Sequence, residues 1–128
     1  MGQTSPKEVV DRYYDAMRAG PAGEKELLGL FAEHATYIEP FSGATQKHEG
    51  IQAIQNAFRA SWEQAPPALT ITVERVDIEE NQVRTVWLCD SPAFPSPVRG
   101  HDHYQIENGS IVYLEVTFAP PEKTAAPS

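Results

Sequence analysis

Apart from one short run, everything strand-like in this chain follows the Pro66-Pro67 pair, and everything helical precedes it. From Leu69 onward the apolar residues fall into β-prone runs: Ile71, Val73, Val76 and Ile78, then Val83 to Cys89, Val98 to Glu107, and Ile111 to Phe118. Asn81-Gln82 and Asn108-Gly109 read as hairpin turns between them. In the last run Val112, Leu114, Val116 and Phe118 alternate with Tyr113, Glu115 and Thr117, so one face is apolar and should line the concave side of a sheet. Helices gathered first and a strand meander second predict an α+β domain, with the helices segregated to one face of the sheet.

The helical half has its own punctuation. Ser5-Pro6-Lys7-Glu8 has the form of a capping box, with serine as the cap, proline at the first helical position and glutamate placed to bond back. Val9, Tyr13, Ala16 and Met17 then form one apolar stripe, with Asp11, Arg12, Asp15 and Arg18 largely opposite. Gly20-Pro21-Ala22-Gly23 interrupts the pattern, and Leu27, Leu28, Leu30 and Phe31 predict a second, shorter helix ending around His34. Thr36 to Glu39 is a brief strand stopped by Pro40, and Ser42 to Gln46 reads as a turn or loop. Ile51, Ile54, Phe58 and Trp62 mark a third helix after Gly50. His48 and Glu49, just ahead of it, read as capping or solvation rather than as site residues.

Length and charge narrow the function classes. At 128 residues the chain fits one domain, taken as residues 1–119, with a Pro/Ala/Ser-rich tail over 120–128 expected to be disordered. No window approaches the run of about 18 apolar residues that a membrane helix needs. Met1 to Lys7 lack the character of a secretory signal, so a cytoplasmic location is expected. A net charge of −8, with Lys and Arg scattered, argues against nucleic acid or an anionic membrane as partner and leaves a small hydrophobic ligand open. The lone Cys89 lies in an apolar run and reads as a buried, inert thiol. Pro92, Pro95 and Pro97 stiffen the connection between the second and third long strands.

The order helix, helix, short strand, helix, strand meander over residues 5–118 resembles the nuclear transport factor 2 superfamily, which includes scytalone dehydratases, polyketide cyclases (SnoaL-like) and ketosteroid isomerases. Three segments are similar to the isomerases in particular: Val9-Val10-Asp11-Arg12-Tyr13, Ala35-Thr36-Tyr37-Ile38-Glu39-Pro40 and Gly100-His101-Asp102-His103-Tyr104. The resemblance implies a cone-shaped fold, three N-terminal helices on a strongly curved, mainly antiparallel sheet, around an apolar pocket. It also implies a homodimer and chemistry without a cofactor. By motif it carries over a tyrosine donor to Tyr13, a protonated carboxylic acid donor to Asp102, and a proton-moving carboxylate to Glu39. Glutamate stands where the family has aspartate, and Phe31 and Phe58 stand where some isomerases have tyrosines.

Those residue types suit the chemistry. Removing a proton beside a carbonyl needs a positioned base and donors aimed at the developing oxyanion, in a dry site. Phe31, Phe58, Trp87, Leu114, Val116 and Phe118 can supply the dry walls and bind substrate. Plainer readings stay open beside this one: Tyr13 as a core tyrosine, Glu39 as a solvated strand end, Asp102 as an ion-pair partner of Arg99 or Arg84. In a regular strand His101 and His103 point away from Asp102, so the His-Asp-His triplet is not expected to hold a metal. The competing functions are dehydration, cyclisation or hydrolysis in the same pocket, using a carboxylate with His101 and His103, and ligand binding without catalysis by a dimeric domain.

Overall fold

In the computed structural model, which describes residues 5–41 and 43–118, the first helix α1 (Pro6–Ala19) begins where the capping pattern sets it. The Ser5 hydroxyl accepts the Glu8 N–H at 3.2 Å, but the Glu8 carboxylate accepts from Arg12 at 2.7 Å. Only half of the capping box therefore forms. The buried face holds Val9, Val10, Tyr13, Tyr14 and Ala16, wider than the expected stripe, because α1 meets a second helix as well as the sheet. Gly20 ends it with φ at 65°, and residues Gly20–Gly23 make one 3-10 turn. A Cβ on Gly23 would stand 2.7 Å from the Ala16 carbonyl oxygen, so the turn can press against α1 only as glycine.

The second helix, α2 (Glu24–Gly29), stops well before His34, and the chain enters strand β1 (Phe31–Glu39). Local periodicity read Leu27 to Phe31 as one helical face; long-range pairing overrides it. The Ile111 N–H bonds the Leu30 carbonyl at 2.8 Å, and Phe31 pairs with Ile111 in parallel register. Residues 46–49 are likewise a strand, β2 (Gln46–Glu49), antiparallel to the end of β1, so His48 and Glu49 belong to the sheet and not to a helix cap. Gly50, with φ at 93°, then turns the chain into α3 (Ile51–Glu63), which buries Ile54 and Phe58.

The meander comprises β3 (Thr70–Glu79), β4 (Gln82–Asp90), β5 (Val98–Glu107) and β6 (Ser110–Phe118). Asn108 and Gly109 turn with positive φ as expected, whereas the first hairpin turns at Glu80-Asn81, one residue earlier than read. The six strands run in the order β2-β1-β6-β5-β4-β3, and only β1 and β6 are parallel. The described residues make an α+β domain with a mixed sheet, two full-length helices and the six-residue α2.

The apolar row of β6 needs a correction. A register shift near Ile106 places Ile111 opposite it, so Ile111, Leu114 and Val116 are buried while Val112 is half-buried. One extra residue in the pairing moves every earlier side chain to the other face. Cys89 is half-buried rather than buried, and burial pushes its thiol up. The expected tail lies outside the described residues.

Candidate functional site

Strand alternation turns Asp102 inward between an exposed His101 and a half-buried His103, leaving the carboxyl 3% exposed among apolar side chains. A buried carboxyl must be satisfied from within the protein. Its Oδ2 accepts the Tyr14 hydroxyl at 2.6 Å and the Tyr104 hydroxyl at 2.8 Å, and its Oδ1 accepts the Trp87 indole N–H at 2.8 Å. Thr85 Oγ1 lies 2.7 Å from the Tyr14 oxygen. Since Tyr14 gives its proton to Asp102, Thr85 donates to Tyr14. Trp87 can lie across β5 because its cross-strand partner is Gly100, where a Cβ would sit 2.1 Å from the indole ring.

Burial raises the Asp102 carboxyl above its ordinary 3.8, and the three donors oppose that shift without cancelling it. The ion-pair alternative is not what forms: Arg99 bonds Glu74 at 2.8 Å on an exposed face, and no arginine bonds Asp102 among the described residues. A carboxyl group offers about four acceptor positions. With three taken, Oδ1 keeps one in reserve.

Tyr13, the tyrosine singled out by motif, is 3% exposed and stands edge-on to Tyr14 and Tyr104 at 5.3 and 5.5 Å. It is the next residue, Tyr14, that bonds Asp102. Burial, then the neighbouring Tyr37 and Asp102, hold the Tyr13 hydroxyl well above its usual 10.0, so it stays protonated.

Glu39 ends β1, 8% exposed, with both oxygens engaged. Oε1 accepts the Phe41 N–H at 2.6 Å, and Oε2 lies 2.9 Å from His48 Nε2. The His48 ring stacks on Tyr37 at 5.8 Å, and Tyr37 stacks on Phe58 at 4.8 Å. Tyr37 feels Glu39 and, more weakly, Asp102, both of which add to the effect of burial in raising its hydroxyl. The two carboxyls thus flank one aromatic cluster.

Of the expected walls, Phe31, Phe58, Trp87, Leu114 and Val116 are buried in one apolar cluster. Phe118 is not among them: it is 46% exposed, edge-on to Phe41 at 5.7 Å and Trp87 at 6.4 Å, on the rim. His101 and His103 lie on the face opposite Asp102, where His103 Nε2 meets Gln82 at 2.8 Å. Sequence reasoning missed Tyr14, Tyr37, Tyr104 and His48. The adjacent Tyr13-Tyr14 and the alternation of Asp102 with Tyr104 carried some signal; a four-residue edge strand carried none.

A family model described as a SnoaL-like domain matches residues 10–114. No curated protein sequence matches the chain. Among solved structures it is similar to a candidate polyketide cyclase from Sinorhizobium meliloti, with TM-score 0.72 and 20% identity over 89% of this chain and 100% of that one. It is similar to a candidate ketosteroid isomerase from Kribbella flavida, with TM-score 0.70 and 14% identity over 96% and 90%. An NTF2-like protein of unknown function from Mesorhizobium loti gives TM-score 0.74 and 19% identity over 90% and 91%. At these identities the structures speak for the fold.

Proposed function

The chain belongs to the SnoaL-like domain family, and on that premise we propose that it is a proton-transfer enzyme acting on a small hydrophobic carbonyl compound, as in the ketosteroid isomerases. Glu39 takes a proton from the carbon beside the carbonyl. The charge that develops on the carbonyl oxygen is met by the Tyr13 hydroxyl and by Asp102, whose remaining place at Oδ1 can carry a donated proton. Glu39 then returns its proton further along the conjugated system, so no atom is gained or lost.

The observation that carries this reading is the setting of Asp102. Its partners at 2.6–2.8 Å are all donors fixed in an apolar cluster, and its carboxyl is shifted toward the neutral form. A neutral carboxylic acid in a dry site is a hydrogen-bond donor, which suits an enolate oxygen. The test is conversion of an unconjugated 5-ene-3-ketosteroid to its conjugated isomer, followed by ultraviolet absorbance, with Glu39→Gln alongside. Turnover that survives the substitution would remove Glu39 from the role of base.

The Glu39–His48 contact favours a second reading, dehydration or hydrolysis in the same interior, with His48 in place of the outward-facing His101 and His103. A carboxylate joined to an imidazole can relay a proton to a leaving hydroxyl. Under either reading the protein works as a homodimer through the outer face of the sheet, which sedimentation at micromolar concentration tests directly.

A further inference from the structure

Strand β3 ends the sheet on one side, with β4 as its one neighbour among the described residues. The first half of its free edge is guarded. Arg18 on α1 donates to the Ile71 carbonyl at 3.1 Å, and a bulge after Val73 turns Glu74 toward Arg99, 2.8 Å away. The second half is open. Residues Glu74 to Glu79 are all exposed, and Val76 and Ile78 keep 37% and 45% of their surface in water although their cross-strand partners, Thr85 and Val83, are buried. A bare edge that also carries apolar side chains is a template for another strand.

The backbone of that half points outward in the right places. Ile71 turns its carbonyl away from β4, to Arg18, and its partner Cys89 is in phase along β4 with Thr85 and Val83. Val76 and Ile78, opposite those two, therefore also turn their N–H and C=O groups out of the sheet. We propose that β3 pairs edge to edge with β3 of a second copy of this chain, antiparallel, about a two-fold axis at Val76. Charge selects that register. With Val76 on the axis, Arg75 stands opposite the partner's Asp77, and Asp77 opposite the partner's Arg75. An axis at Arg75 or at Asp77 sets that residue against its own copy, and an axis at Ile78 sets Asp77 against Glu79, so each of these places like charges directly opposite. On the other face Val76 meets its own copy and both lose apolar surface to the contact.

The edge pairing goes beyond the proposed function and does not rest on it. The bulge at Glu74 keeps the ladder short, so its test is sedimentation equilibrium of the full chain from about 10 μM to about 1 mM, where a few ladder bonds and two exposed ion pairs become populated. The parent should show an association step in that range, from monomer to dimer, or from dimer to tetramer if the outer face of the sheet already pairs two copies. Val76→Pro removes an outward N–H and no bond to β4, so it should keep the fold and weaken the step by about tenfold or more. Asp77→Arg sets Arg75 against a second arginine and should weaken the step to a similar degree. Adding Arg75→Asp to Asp77→Arg restores opposite charges in this register alone and should recover most of the loss. A parent without the step, a step that survives Val76→Pro, or a double exchange no tighter than Asp77→Arg would overturn the pairing. An outer-face dimer untouched by all three variants would leave the proposed function where it stands.

Discussion

Tyr14 reaches across from α1 to donate its hydroxyl proton to Asp102 on β5 at 2.6 Å, joining residues 88 positions apart. Tyr13, its neighbour, points into the interior with its hydroxyl unspent. Two consecutive tyrosines on one helix thus divide the work, one fastening the carboxyl and the other packing edge-on into the aromatic core.

Tyr14→Phe is expected to destabilise the fold by about 1–3 kcal/mol, the range for leaving a buried polar group without its partner, because Asp102 and Thr85 both lose one. Tyr13→Phe should cost little. Urea denaturation of the two variants separates them, and equal losses would contradict this division.

Gly100→Ala should disturb the site from behind. A methyl group there meets the Trp87 ring at 2.1 Å, so the indole must swing away and its N–H must leave Asp102. The overpacking cost is about 1–3 kcal/mol. A shifted tryptophan emission spectrum that Trp62→Phe leaves in place would assign the movement to Trp87.

Asp102 should make stability depend on pH in an unusual direction. Its folded-state value lies above its ordinary 3.8, so the folded protein binds this proton more tightly than the unfolded chain. Above the raised value the burial penalty on the ionised carboxyl is fully present. It is relieved as pH falls through that value toward 3.8, so this group's contribution favours folding more at lower pH. Asp102→Asn removes the titration, and since tyrosine hydroxyls can turn to accept from an amide, it should fold. The difference in unfolding free energy between the two proteins, measured from neutral pH down to the onset of acid unfolding, should change with that sign.

His48→Ala is expected to lower kcat on the order of 10²-fold with little change in KM, because Glu39 loses the contact that fixes Oε2 and a small displacement of a base is costly. His48→Gln, whose amide can donate in place of the imidazole, should recover much of the loss. A KM effect alone would show that His48 serves the ligand rather than Glu39.

Much of this architecture was legible in the chain itself. The Ser5 cap, the α3 stripe of Ile51, Ile54, Phe58 and Trp62, and the Asn108-Gly109 hairpin follow from short-range chemistry, because the groups that stabilise them are close in sequence. The inward turn of Asp102 with Tyr104 and Ile106 also follows, since period-2 alternation needs no knowledge of the partner strand.

What the tertiary structure decided is where local preference is ambiguous or weak. Leu27 to Phe31 suits a helix or a strand entry, and pairing with Ile111 chose the strand. The β6 row slipped by one residue at a bulge that alternation cannot foresee. The choice of Tyr14 over Tyr13 for Asp102, and the meeting of His48 with Glu39, depend on how α1 is rotated over β4 and β5 and on a four-residue edge strand. Neither orientation is encoded in nearby residues. Both are set by the summed packing of a core whose contacts join distant parts of the chain, and only the assembled fold contains that sum.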